Sequence, residues 1–133
     1  MPRQRKIRRA RAYHLRLGEA GENLACGLLR ELNIEVLGRN FRRNNNEIDI
    51  VGRDAYTLCF IEVKTRRRKS RGRPADAVGT DKRRQIRRIA HRYLRELGRP
   101  SVAYRFDIIE VIKPSRFRLE EIRYHPNAFT EHR

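Results

Sequence analysis

The chain has 133 residues, which fits one domain, and its net charge of +17 results from 33 Lys and Arg against 16 Asp and Glu. No stretch approaches the roughly 18 apolar residues of a membrane span, and no apolar signal-peptide segment follows the basic N-terminus. Cys26 and Cys59 form neither a CxxC pair nor a zinc spacing, which argues against a disulfide-stapled secreted scaffold. These features predict a cytoplasmic globular domain with a polyanionic partner and no membrane association.

The first part of the chain changes from a basic segment to a helical pattern. Residues 1–16 carry seven basic side chains and no acid, which predicts a flexible tail. Apolar residues then recur at intervals of three and four over about 17–32, which predicts a helix ended by Asn33. A short strand over 34–37 and a polar loop over 40–46 follow.

The rest of the chain alternates between strand and helix patterns. Two strands, a basic loop, a second helix and two further strands are predicted over about 47–53, 57–64, 66–78, 80–97, 103–112 and 117–124. Thr80 is a candidate cap for the second helix. The order α-β-β-β-α-β-β predicts one α/β sandwich, with helices flanking a mixed sheet of about five strands. The domain would span 17–124, and 125–133 would form a C-terminal tail.

The basic charge is concentrated in three runs, at 1–16, 64–73 and 82–95, each with seven Lys or Arg and no acid. Such runs attract phosphate backbones through counterion release, and Arg can donate two hydrogen bonds to one phosphate. Two alternatives remain open at this point. The arginines could simply cover a solvated surface, or they could contact an anionic membrane surface.

The residues that point to chemistry lie on the two strands at 47–64. If these strands pair as a hairpin through the loop Asp54–Thr57, Asp49 lies opposite Glu62 and Glu47 lies opposite Lys64. Directly opposite side chains have Cβ atoms about 4.5–5.5 Å apart, and two carboxylates so placed repel each other.

A divalent cation between the two acids would remove this repulsion. Mg²⁺ prefers oxygen ligands and often takes one or two carboxylates. Lys64 could then stabilise the charge that develops during phosphodiester cleavage. The alternative is a charged sheet edge, in which Lys64 pairs with Glu47 and the acids pair with neighbouring Arg. A register slip of one residue would break the catalytic arrangement.

Several segments together resemble one known family. They are Leu17-Gly18-Glu19-Ala20-Gly21-Glu22, Arg39-Asn40-Phe41-Arg42, Glu47-Ile48-Asp49-Ile50, Phe60-Ile61-Glu62-Val63-Lys64-Thr65-Arg66, Lys82 and Arg105-Phe106-Asp107. Over about residues 17–112 the chain resembles the YraN-like bacterial proteins, which look like the restriction-endonuclease, or PD-(D/E)xK, fold and especially the archaeal Holliday-junction resolvases. One departure is Asn46, where the family usually has Gly before Glu-Ile-Asp.

The resemblance implies roles for four residues. Asp49 and Glu62 match the metal-binding acids, and Lys64 matches the catalytic lysine. Glu22 matches the helix glutamate that joins the metal site in the resolvases, although a solvated acid near a helix N-terminus remains an alternative. The implied cofactor is Mg²⁺ or Mn²⁺.

The combined prediction is a nucleic-acid-binding protein that acts as a metal-dependent endonuclease on DNA rather than RNA, with branched DNA as one candidate substrate. A branched substrate would favour a homodimer, because a two-fold axis presents two sites to two strands. The alternative is a non-catalytic DNA- or RNA-binding module that keeps the nuclease fold, or an interaction protein whose basic tail binds an acidic partner. The residues expected to contact the phosphate backbone are Arg66, Arg67, Arg68, Lys82 and Arg83.

Overall fold

The computed structural model describes residues 5–10, 19–67, 78–113 and 120–130, which form six strands and two helices. In chain order the elements are β1 Arg5–Ala10, α1 Glu19–Glu31, β2 Glu35–Arg43, β3 Asn46–Asp54, β4 Thr57–Arg67, α2 Thr80–Glu96, β5 Ala103–Lys113 and β6 Glu120–Phe129. After β1 the order is α-β-β-β-α-β-β, so the predicted fold class is confirmed.

The strands form one mixed sheet in the order β1-β6-β5-β4-β3-β2. Only β4 and β5 are parallel to each other among the described strands, and α2 lies between them in the chain. The other neighbouring pairs in the sheet are antiparallel. β4 lies inside the sheet between β5 and β3, which fits its nearly continuous apolar sequence.

Among the described residues, one helix packs on each face of the sheet, and each face has its own hydrophobic core. On one face α1 packs through Ala25, Cys26 and Leu29. On the other face α2 packs through Ile86, Ile89 and Ala90. Neighbouring residues of a strand alternate between the two cores, as a pleated strand requires. Both cysteines are buried free thiols within these cores.

The two ends of the described chain contain strand where the sequence predicted tails. Residues 5–10 pair with β6 at the edge of the sheet, inside the segment predicted as a flexible tail over 1–16. β6 extends to Phe129, inside the predicted tail over 125–133. An edge strand is held by main-chain hydrogen bonds, which a basic and nearly apolar-free sequence does not reveal. The remaining tail residues, 1–4, 11–16 and 131–133, lie outside the described part of the chain, as do residues 17 and 18 of the predicted domain.

Two local predictions also need correction. The predicted polar loop over 40–46 contracts to the turn residues Asn44 and Asn45, whose φ angles of 51° and 63° match a two-residue hairpin turn that asparagine tolerates. Thr80 does not cap α2: the N-cap residue is Gly79, without a side-chain cap. Of the predicted basic loop, residues 68–77 lie outside the described ranges. None of the described helices is long and apolar enough to cross a membrane.

Candidate functional site

The hairpin of β3 and β4 has the predicted register but stops pairing at the candidate acids. Its ladder runs from the pair Asp54 and Thr57 to the pair Ile50 and Ile61. The connecting loop therefore has two residues, where four were predicted. The pairs that form are those of the register that places Asp49 opposite Glu62. The next pair in this register would be Asp49 and Glu62. There the ladder ends, and the backbone N–H of Val63 donates to the side chain of Asp49.

The alternation of side chains between the two faces of the sheet is interrupted in β3 at Asp49. Ile50 belongs to the core under α1, whereas Ile48 belongs to the core under α2. Residues two apart normally share a face, so the alternation is interrupted between them. On β2 the residue opposite Asp49 is Asn40, which has a positive φ of 55°. This interruption lets Asp49 reach groups on both sides of the sheet.

Two sets of acids meet at Asp49. On the α1 side, Glu22, Glu47 and Asp49 each place one carboxylate oxygen within 4.8 Å of the others. On the α2 side, Glu62 lies close enough to Asp49 for the charge of Asp49 to raise the pKa of Glu62. The oxygen Oε2 of Glu62 is buried and has no hydrogen-bond partner among the described residues. The predicted acids are thus brought together, with Glu47 in addition.

Burial and mutual repulsion make this site unfavourable for negative charge. Burial, and next the charge of Asp49, raise the pKa of Glu62 to about 8. Burial also raises the pKa of Asp49, and Glu22 and Glu47 add to the increase, against a hydrogen bond from the backbone of Val63. A divalent cation would offset this cost. The carboxylate donors and the unpartnered oxygen of Glu62 fit Mg²⁺ or Mn²⁺.

Glu22 reaches the site because α1 begins close to β4. A Cβ on Gly21 would lie only 3.1 Å from Thr65 Oγ1, so the small residue permits this close approach. Glu22 follows it, half-buried, and accepts hydrogen bonds from Arg39 at 3.2 Å and from Asn40 at 3.4 Å. With its amide group reversed, Asn40 would donate to both Glu47 and Glu22, at 2.7 and 3.0 Å.

The two lysines of the site lie on the side of Glu62. Lys82, at the start of α2, places its ammonium group 3.8 Å from Glu62 Oε1. Lys64 is exposed and lies two residues after Glu62 on β4, and its charge lowers the pKa of Glu62. Glu47, which was predicted to face Lys64, forms its ion pair with Arg42 at 3.3 Å.

The predicted phosphate-binding residues have different environments. Arg66 is largely buried and forms an ion pair with Glu110, with side-chain exposures of 11% and 2%, so it offers little surface to a phosphate. Arg83 is half-buried and donates to Thr80 Oγ1 at 3.3 Å. Lys82 remains 42% exposed beside the acids. Arg68 and the side chain of Arg67 lie outside the described part of the structure.

A buried polar cluster beside Lys64 was missed by the sequence analysis. Glu110 is the neighbour of Lys64 on the parallel strand β5, and it contacts His125 at 2.7 Å as well as Arg66. Burial alone would raise the pKa of Glu110, but hydrogen bonds and charge from His125 and Arg66 lower it. The three residues lie far apart in the sequence, so spacing could not reveal the cluster. The contact of Asn40 with Glu22 was also not predicted, because the three consecutive asparagines of the predicted polar loop over 40–46 indicated only a turn.

Comparison with known proteins agrees with the sequence resemblance. The model of a family described as Uncharacterised protein family UPF0102 matches residues 21–111, which is more than half of the chain and includes the four predicted catalytic residues. The chain belongs to this family. Membership in UPF0102 confirms the resemblance to the YraN-like proteins, while the functional assignment depends on the geometry of the site.

Relatives in the UPF0102 family match most of the chain. A UPF0102 protein of Chlorobium phaeobacteroides is 42% identical over 117 residues, which cover 85% of this chain and 93% of the relative. One of Syntrophotalea carbinolica is 44% identical over 115 residues, or 86% of this chain and 92% of the relative. A UPF0102 protein of Nocardia farcinica is 45% identical over 96 residues, which cover 72% of this chain and 76% of the relative.

Proposed function

We propose that this protein is a metal-dependent endonuclease that hydrolyses phosphodiester bonds in DNA. The observation that carries the proposal is the cluster in which Glu22, Glu47 and Asp49 each place one carboxylate oxygen within 4.8 Å of the others, beside the buried Oε2 of Glu62 that has no hydrogen-bond partner among the described residues. The pKa values of Asp49 and Glu62 are both raised there. Such perturbed acids cost stability, and they cluster in active sites more often than elsewhere. The net charge of +17 supplies a field that attracts a polyanionic substrate.

Asp49 and Glu62 would hold the metal, and Glu22 would complete the site from the α1 side. A bound Mg²⁺ or Mn²⁺ supplies Lewis-acid activation of the scissile phosphodiester. The chain itself orients the ligands: the backbone of Val63 donates to Asp49, while Arg39 and Asn40 donate to Glu22.

Lys64 is the residue best placed to act on the substrate. Its exposed ammonium group follows Glu62 on the same face of β4, so it can stabilise negative charge on the phosphoryl oxygens. Lys82 adds a second positive charge beside Glu62 and can hold a neighbouring phosphate. A branched substrate would require two such sites, and a two-fold dimer is the simplest arrangement that provides them.

A non-catalytic nucleic-acid-binding module is the second candidate, and one observation favours it. Three acids of the site already have cationic neighbours: Arg39 for Glu22, Arg42 for Glu47 and Lys82 for Glu62. In this alternative the ion pairs stabilise the fold, and the basic surface binds nucleic acid without turnover.

A cleavage assay decides between the two candidates. Duplex, branched and single-stranded DNA and RNA would be incubated with Mg²⁺ or Mn²⁺ and wild type, Asp49→Asn, Glu62→Gln or Glu35→Gln. Glu35 is an exposed acid that pairs with Arg53 away from the site, so its variant is the matched control. We expect cleavage by the wild type and the control, and a reduction of at least about 100-fold in the two site variants.

Two results would count against the nuclease assignment. Cleavage that persists in both site variants would exclude Asp49 and Glu62 as the metal-binding acids. Tight binding without metal-dependent cleavage of any substrate would favour the binding module.

A further inference from the structure

A cationic groove lies between the outer flank of α2 and the turn that joins β2 to β3. Its volume is about 880 Å³, and none of the described residues that line it is acidic. Seven of the described arginines line it: Arg43, Arg84, Arg87, Arg88, Arg92, Arg95 and Arg99. Such a density of positive charge around one depression indicates a binding site for an anionic polymer.

The exposed arginines of the groove follow the axis of α2. Arg84, Arg88 and Arg95 are exposed, and the helix rises about 1.5 Å per residue, so they extend over roughly 16 Å. Arg84 has an ion pair with Asp81 at 3.8 Å, but Asp81 is 92% exposed and the pair is screened by solvent. A linear row of this length can follow several consecutive phosphates of a nucleic-acid strand.

One wall of the groove is held in a fixed position. Arg43, on the β2–β3 hairpin, donates two hydrogen bonds to Glu96 of α2, at 2.9 and 3.0 Å, and its guanidinium lies 4.4 Å from the ring centroid of Phe41. Arg92 also donates to Glu96 at 3.0 Å. The hydrogen bond from Arg43 is the main cause of the lowered pKa of Glu96. The groove is therefore bounded by ionised, mutually bonded groups and keeps an excess of positive charge.

The aromatic residues near the groove favour binding to a duplex rather than to a single strand. Phe41 and Tyr93 pack edge to face at 83°, and Tyr104 and Phe106 pack edge to face at 84°. These rings pack against one another, and the Arg43 guanidinium lies over the ring of Phe41, whereas single-strand binding proteins present ring faces for base stacking. The groove thus offers contacts to the phosphate backbone, which carry no sequence information.

We infer that this groove binds the phosphate backbone of a nucleic-acid duplex and leads it to the acidic site. The inference rests on the proposed function for the class of substrate. Arg84 lies two residues after Lys82, and Asn46 of the groove precedes Glu47 of the acid cluster. Because Lys82 at the start of α2 lies 3.8 Å from Glu62, a duplex bound along α2 reaches the candidate site at this end of the helix.

The test compares two double variants with the same change in charge. Arg88→Gln/Arg95→Gln alters the groove, and Arg30→Gln/Arg53→Gln alters two exposed arginines elsewhere. Binding of a fluorescein-labelled 20-base-pair DNA duplex would be measured by anisotropy in EDTA at several salt concentrations. For the groove variant we expect the slope of log K against log salt to become shallower by about 1.8, or about 0.9 for each phosphate that is no longer neutralised by an arginine.

The outcomes separate this inference from the proposed function. Equal slopes of log K against log salt for the two double variants would contradict the inference that the groove binds a duplex. Weakened binding of single strands only would contradict it as well. If the groove variant has the shallower slope but the wild type cleaves no substrate with Mg²⁺ or Mn²⁺, the result would support duplex binding in the groove and count against the proposed nuclease activity. If the groove variant cleaves DNA with an unchanged KM, the result would support the proposed nuclease activity and contradict duplex binding in the groove. Circular dichroism would establish that both variants fold.

Discussion

The carboxylate of Asp49 takes the place of a backbone partner for Val63: its Oδ2 accepts a hydrogen bond from the Val63 N–H at 2.8 Å. The ladder between β3 and β4 has ended one residue earlier, at Ile50 and Ile61. Because the side chain satisfies the amide, the ladder can end here without leaving this backbone donor unpaired. The same hydrogen bond holds the Asp49 carboxylate near Glu62. One contact therefore ends the strand pairing and positions a candidate metal ligand.

The Glu62→Gln substitution should stabilise the metal-free protein at pH 8. The pKa of Glu62 in the folded state, about 8, is above its ordinary value of 4.5, so the folded protein binds this proton more tightly than the unfolded chain. The free energy of unfolding therefore falls as pH rises from about 5 to 8. The variant lacks this pH-dependent decrease and should be more stable at pH 8 by at least about 1 kcal/mol.

Urea unfolding in EDTA between pH 5 and 8 measures this difference. Glu35→Gln, at an exposed carboxylate, should follow the wild type across the range. Parallel curves for Glu62→Gln and wild type would show that the pKa of Glu62 is not raised in the folded protein.

Divalent metal should stabilise the wild type and should do so more at pH 8 than at pH 6. A metal ligand must be deprotonated, so binding at Glu62 releases a proton below its pKa and becomes weaker as pH falls. Mn²⁺ titration followed by calorimetry and by the thermal midpoint would measure the effect. The double variant Asp49→Asn/Glu62→Gln should bind at least about tenfold more weakly. Unchanged affinity in that variant would place the metal elsewhere.

The register assumed for the hairpin is the observed one, because the limits of the two strands and the short connection between them are local features of the sequence. The sequence could not predict the interruption at Asp49, opposite which Asn40 has a positive φ, because the strand pattern gives no sign of it. It also could not distinguish Arg66 from the exposed arginines, since the partner of Arg66 is Glu110, on another strand. Basic composition showed the charge of the surface, and only the fold shows which guanidinium groups face solvent.

The Tyr124→Phe substitution should destabilise the fold by roughly 1.5–3 kcal/mol, the cost of removing a hydrogen bond to a buried charged group. Tyr124 Oη donates to Asp107, which is fully buried, and accepts a hydrogen bond from Arg105 at 3.0 Å. Chemical unfolding would measure the destabilisation. Tyr56→Phe is the control, because Tyr56 is 92% exposed at the β3–β4 turn and should change stability little. Equal stability of the two variants would contradict a structural role for the Arg105–Asp107–Tyr124 network.

The Arg66→Gln substitution should lower stability without changing the salt dependence of DNA binding. Its guanidinium neutralises the buried Glu110, and removal of one partner from a buried ion pair costs about 3–5 kcal/mol. Because Arg66 is largely buried, it makes no phosphate contact, and the slope of log K against log salt should stay at the wild-type value at a temperature where the variant is folded. Arg88→Gln should show the opposite pattern, with normal stability and a slope shallower by about 0.9. A reduced slope for Arg66→Gln would mean that its side chain leaves Glu110 to bind DNA.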